Sequence, residues 1–145
     1  MLAVLEKTRR QGLGFLSLNF LAVVAAAVSA FVIGGLWYSP LLLGGAWKKA
    51  NGFDAEQPSA GAKVFGLALV LSLVMAVNLA MFLNDPKTTV AFGAMAGFLA
   101  GFGWAAMGIA IVSLFERRSL RYVLINGGYL TIALTVMGVI LGAWR

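Results

Sequence analysis

The chain has 145 residues, 61% of them hydrophobic and 11% charged, with 11 Lys/Arg against 5 Asp/Glu and a formal net charge of +6. Soluble domains usually carry about 25% charged residues, and a chain this short cannot hide so much apolar surface in one aqueous core. An ordinary cytosolic enzyme is excluded, and so is disorder, which needs low hydrophobicity and high charge.

Residues 1–16 read as a basic extension, with Lys7, Arg9 and Arg10, ahead of a four-helix domain over 17–145. A hydrocarbon core about 30 Å thick needs roughly 20 apolar residues of helix. The first stretch to meet that test runs from about Ser17 to Tyr38. Val28-Ser29-Ala30 resembles a signal-cleavage site, but the apolar run continues through Phe31-Val32-Ile33 to Trp37-Tyr38, so an uncleaved anchor is expected. The connection over residues 39–61 contains Leu41-Leu42-Leu43-Gly44-Gly45-Ala46-Trp47-Lys48-Lys49, apolar and then basic. It predicts a short interfacial helix or turn with Trp47 at headgroup depth.

The second span is predicted over Ala62 to Leu83. Asn84-Asp85-Pro86 then reads as a tight turn, with Asp85 capping the third helix and Pro86 at its first position. The third span runs from Thr88 to Phe115, a polar link covers Glu116 to Arg121, and the fourth span runs from Tyr122 to Trp144. None has an acid or base within its apolar body. A helix that is apolar all round is a membrane span or the centre of a large protein, and this chain is small. The expected fold is all-α: four transmembrane helices in an antiparallel bundle.

The side holding the first and third connections, side B, carries Lys48, Lys49, Lys63, Arg117, Arg118 and Arg121. The opposite side A carries Lys87 and Arg145, besides the basic residues of the extension. With the extension set aside, the positive-inside rule puts side B in the cytoplasm. In lipid, helices associate through close packing of small residues. Such residues recur at intervals of four: Ala22, Ala26, Ala30 and Gly34; Ala68, Ser72, Ala76 and Ala80; Gly93, Gly97, Gly101 and Ala105. The fourth span adds Gly138 and Gly142. These stripes predict tight packing within the bundle, with self-association through the third span as the alternative.

Polar residues at membrane depth are the best pointers to function. Asn19 and Asn78 sit at similar depth on side A and are expected to hydrogen-bond between helices. On side B, Trp37, Tyr38, Ser39, Trp47, Asn126 and Tyr129 share a depth with the basic third connection. With Arg121 they form a candidate site for an anionic lipid headgroup or amphiphile. The alternative is plain interfacial anchoring. Within the spans Asn126 needs a partner, which Tyr38 or Tyr129 supplies.

Histidine and cysteine are both absent. That removes disulfides, thiolate nucleophiles, histidine-based metal and haem sites, and histidine acid–base catalysis. Proton-coupled transport normally uses an ionisable group within the spans, and Glu116, Asp85, Asp54 and Glu56 all lie in connections. The dispersed basic charge does not suggest nucleic-acid binding.

Asn19-Phe20-Leu21-Ala22, Gly35-Leu36-Trp37-Tyr38-Ser39-Pro40 and Gly44-Gly45-Ala46-Trp47 together resemble domain-of-unknown-function family 1761. Asn126-Gly127-Gly128-Tyr129 and the closing Gly142-Ala143-Trp144 are similar to elements of the same family's last span. The resemblance covers roughly residues 19–145 and implies a small bacterial multi-pass protein of the cytoplasmic membrane, with no established activity to carry over. The leading expectation is a non-catalytic binding, assembly or accessory module without cofactor or metal. Its partners would be membrane lipids, further copies of itself or other membrane proteins. A passive channel or carrier stands second, and a partner- or cofactor-dependent membrane enzyme third.

Overall fold

The computed structural model describes residues 1–6, 14, 17–53 and 60–144. Lys7, Arg9, Arg10, Asp54, Glu56 and Arg145 lie outside them. Among the described residues there is no strand. Four helices are long and apolar enough to cross a membrane: α1 (Phe20–Trp37), α3 (Ala62–Phe82), α4 (Val90–Phe115) and α5 (Leu120–Ala143). A short α2 (Gly44–Asn51) lies between the first two.

Local chemistry sets where each helix starts. A helix leaves its first N–H groups without intrahelical acceptors, and short polar side chains supply them. Asn19 Oδ1 accepts from the Ala22 N–H at 3.1 Å. Ser119 Oγ accepts from the Tyr122 N–H at 3.2 Å. For α4 the cap is Thr89, whose Oγ1 accepts from the Phe92 N–H at 3.1 Å, and not Asp85 as the Asp-Pro pair suggested. Asp85 instead folds its own turn: Oδ1 accepts from the Lys87 N–H and its carbonyl from the Thr88 N–H. Two competing caps four residues apart were available, and the one beside the unbroken apolar run starts the helix.

At the far end of α4, Arg117 takes a left-handed backbone with φ 55°. The Arg118 N–H then closes back on Ser113 O at 2.9 Å. That is a Schellman termination, with arginine in the position where glycine is commonest.

The four spans form the expected antiparallel arrangement opened out into a row, in the spatial order α3, α1, α5, α4. Helix α5 is the centre: α1 packs on one side of it and α4 on the other, while α3 leans mainly on α1. Helices α3 and α4 are consecutive in the chain, yet they share little contact beyond the turn that joins them, where Phe82 stacks on Phe92. The core between α1, α3 and α5 is built from small side chains, with Ala22, Ala26, Ala76 and Ala133 fully buried around Met137.

The α4–α5 contact runs backbone to backbone. A Cβ placed on Gly93 would strike the Gly138 carbonyl, and one on Gly138 would strike the Gly93 carbonyl. On Gly97 it would strike Leu134 O, and on Gly101 it would lie 2.6 Å from Thr131 Cα. Gly142 closes the series against Thr89. Only glycine permits this approach, which brings Cα–H groups against carbonyl oxygens across the interface. The glycine stripe of the third span therefore faces α5 within the chain.

One feature of α4 has no counterpart in the periodicity. Leu99–Ala106 is a π-helical stretch inside the span. Ten residues of α4, from Gly97 to Ala106, consequently run alongside eight of α5, from Leu134 to Gly127. The wider turn carries the small-residue stripe from Gly101 to Ala106, which is 5% exposed and touches Gly127. The interval of four had pointed to Ala105, which is only half-buried.

Candidate functional site at the basic interface

Side B gathers the end of α1, all of α2 and the start of α5. The Trp37-Tyr38-Ser39-Pro40 segment leaves α1 and turns at once into α2. Ser39 Oγ donates to Leu36 O at 2.7 Å, which satisfies one of the orphan carbonyls at the helix end. The Leu43 N–H reaches Trp37 O at 3.1 Å and the Gly44 N–H reaches Ser39 O at 2.9 Å. Pro40 has no N–H to continue the helix.

The turn is so tight that a Cβ on Gly44 would lie 2.6 Å from both the Tyr38 and Ser39 carbonyl oxygens. Gly44→Ala is accordingly expected to cost about 2 kcal/mol through overpacking. Gly45→Ala, where a Cβ meets nothing within 4 Å, serves as the neutral control. Thermal unfolding of the two variants in detergent checks this.

Two side chains of the turn reach across to α5. Trp37 Nε1 donates to Ile125 O at 2.9 Å, and Tyr38 Oη donates to Asn126 Oδ1 at 2.9 Å. Asn126 Nδ2 in turn donates to Tyr122 O at 2.9 Å within its own helix. One turn deeper, Tyr129 Oη donates to Ala30 O at 3.1 Å. Glycines make room for the rings: Gly128 under the Trp37 indole, and Gly34 against the Tyr129 hydroxyl.

The Tyr38 ring meets Trp47 and Tyr129 edge-on, each with centroids 5.4 Å apart, and Trp47 meets Phe53 at 5.3 Å. Edge-to-face contacts of this kind favour aromatic pairs. Trp47 is thus half-buried in the cluster.

Trp37, Tyr38, Ser39, Trp47, Asn126 and Tyr129 line neither of two surface concavities, one beside Arg121 and one on side A. They spend their polar atoms and ring faces largely on each other and on backbone carbonyls, and together they lock α1 to α5. Arg121 stands apart from the cluster. It is exposed and borders an open groove of about 450 Å³, otherwise lined by Leu43, Leu120, Leu124 and Ile125. Nearby, Arg118 is engaged at 3.3 Å by Glu116 and lies over the Tyr122 ring. Lys48, Lys49 and Lys63 are exposed on the same side.

Asn19 and Asn78 do not meet. Asn19 caps α1, and Asn78 Nδ2 donates to Val74 O at 2.9 Å on an exposed face of α3. An asparagine inside a helix has an acceptor one turn back without help from a neighbour, and here that local bond replaces the interhelical one. Ser29, Ser72, Thr131 and Thr135 likewise return their hydroxyls to carbonyls of their own helices.

Side A holds a second concavity, of about 400 Å³, with Ser17, Asn19, Asn84, Asp85 and Trp144 around an apolar floor. Asn84 ties its rim by donating to Gly14 O and Ser17 Oγ. Asn84 and Asp85 had been read only as turn residues. The separation of Ser17 and Asn84 in sequence hides the contact.

A family model described as "Protein of unknown function (DUF1761)" matches residues 21–142 of the chain. No curated protein and no solved structure matches it.

Proposed function

The chain belongs to the DUF1761 family, and we propose that this integral, multi-pass membrane protein is a non-catalytic binding module whose site for an anionic amphiphile is the groove beside Arg121. The observation that carries this reading is the groove itself. Its walls are aliphatic and suit an acyl chain, and its one charged lining residue is a guanidinium at the membrane surface. Planar guanidinium pairs well with phosphate or carboxylate. The aromatic lock between α1 and α5 has the supporting role of fixing Leu43 opposite Leu124, so that the groove is preformed. Lys48, Lys49, Lys63 and Arg117 add a positive field on the same side. With side B in the cytoplasm, that field faces a leaflet rich in anionic lipid.

A solute path inside one chain is not favoured. Asn19, Asn78 and Asn126 would be its polar stations, and between them lie Ala22, Ala26, Ala30 and Met137, all at most 1% exposed. No observation supports a catalytic reading.

Native mass spectrometry of the purified protein with phosphatidylglycerol and phosphatidylcholine tests the proposal. The wild type is expected to retain phosphatidylglycerol preferentially. Arg121→Gln is expected to lower that retention about fivefold, the equivalent of about 1 kcal/mol for one basic residue at a charged surface. Equal retention of the two lipids, or an unaltered preference in the variant, would sink the reading.

A further inference from the structure

The outer face of α4 carries a polar group where a bilayer offers it nothing. Trp104 lies near the midpoint of the 26-residue span. Its depth is fixed independently by its neighbour Gly101, which touches Thr131 at the middle of α5. The Trp104 side chain is 84% exposed, and its Nε1–H has no acceptor among the described residues. Tryptophan ordinarily sits at the ends of spans, where headgroups and water take its N–H. In hydrocarbon an unpaired N–H is costly, because lipid tails contain no acceptor.

An acceptor at the same depth lies in the adjacent residue. Trp104 belongs to the π-helical stretch, and at the end of that stretch the Met107 N–H donates to Trp104 O, three residues back. The Met107 N–H does not use Gly103 O, the acceptor an α-helix would offer four residues back, and that carbonyl has two lone pairs, so it can accept a second donor. Gly103 is exposed, and a Cβ there would meet nothing within 4 Å, so another chain can approach its carbonyl closely. Gly108, just beyond Trp104, is equally open.

Donor and acceptor thus belong to adjacent exposed residues at one depth. A twofold axis along the membrane normal preserves depth and swaps the two reciprocally, as an isologous contact requires. A second copy of the chain therefore supplies both partners by symmetry, which lipid cannot do. Helix α4 also has the most bare surface to offer: 17% of its apolar window is buried, the lowest share of the four spans.

We propose that the outer face of α4 is a homodimer interface, in which Trp104 Nε1 of each copy donates to the Gly103 carbonyl of the other. The interface is independent of the groove beside Arg121. It uses exposed surface of α4 apart from the Gly93–Gly97–Gly101 stripe, which is already occupied by α5.

Because the chain has no cysteine, single substitutions report contacts cleanly. Gly108→Cys in cell membranes is expected to give a covalent dimer on oxidation, while Val70→Cys, on the exposed face of α3, stays monomeric. In the otherwise native chain, Trp104→Phe keeps a ring and loses the N–H. It is expected to weaken self-association about tenfold in lipid vesicles, measured by energy transfer between labelled copies. Trp104 is exposed, so the variant's fold is not at stake. No Gly108→Cys dimer above the Val70→Cys level, or unchanged association of Trp104→Phe, would overturn the proposal. Cross-linking of Gly108→Cys to a different protein alone would overturn it too, by assigning the face to a foreign partner.

Discussion

Gly97→Leu is expected to detach α4 from α5 and to cost about 3 kcal/mol or more, the largest loss of any single substitution considered for this fold. The reason lies in the contact, which is backbone on backbone. Even a methyl group at Gly97 would strike the Leu134 carbonyl, and a leucine would have to push the two helices apart along their length. Overpacking a well-packed core costs about 1–3 kcal/mol, and more where nothing can yield.

Among the described residues helix α4 has no other substantial neighbour, so separation at Gly97 removes its main anchor. Gly97→Ala is expected to fall between wild type and Gly97→Leu. Gly66→Leu, at a glycine with open space around it on α3, is expected to unfold like the wild type. Thermal unfolding in a mild detergent orders the four proteins. A Gly97→Leu protein as stable as Gly66→Leu would mean that the α4–α5 contact is wrong.

Trp37→Ala is expected to cost about 3 kcal/mol, the second-largest loss. The substitution removes a half-buried indole that sits on Gly128 and donates to Ile125 O. Truncation of a buried tryptophan typically costs about 3–5 kcal/mol, and partial exposure places this one at the low end. It also leaves Ile125 O without the indole donor.

Trp37→Phe separates the two contributions. It keeps most of the ring and loses the hydrogen bond, so a cost of about 1 kcal/mol is expected. If the two variants were equally destabilised, ring packing against Gly128 would contribute nothing, and the indole would act through its N–H alone.

The four spans were legible because twenty-residue apolar runs without charge have few other destinations. The glycine stripe was legible as a stripe, but the partner it faces was not. Intervals of four mark one side of a helix and do not name the neighbour. Here the neighbour is α5, and the outward face belongs to Trp104. The π-helical stretch was invisible, because it goes with the fit of ten residues of α4 to eight of α5 and not with any local propensity.

On side B, a partner for Asn126 in Tyr38 or Tyr129 followed from the cost of an unsatisfied amide, and the structure gives Tyr38. What composition could not show is that this bond, the Trp37–Ile125 bond and the Tyr129–Ala30 bond use up the polar atoms that would otherwise line a pocket. Arg121 was grouped with them by depth alone, and the structure sets it a few side chains away over its own groove. Asn19 and Asn78 failed for a simpler reason: each finds an acceptor or donor in its own helix.

The most direct test of the central claim is an experimental map of the protein in nanodiscs containing phosphatidylglycerol. An elongated feature is expected in the groove between Leu43 and Leu124, with its phosphate end against Arg121 and the aromatic lock unchanged behind it. A groove filled only by disordered lipid, with ordered density elsewhere on the protein, would contradict the assignment.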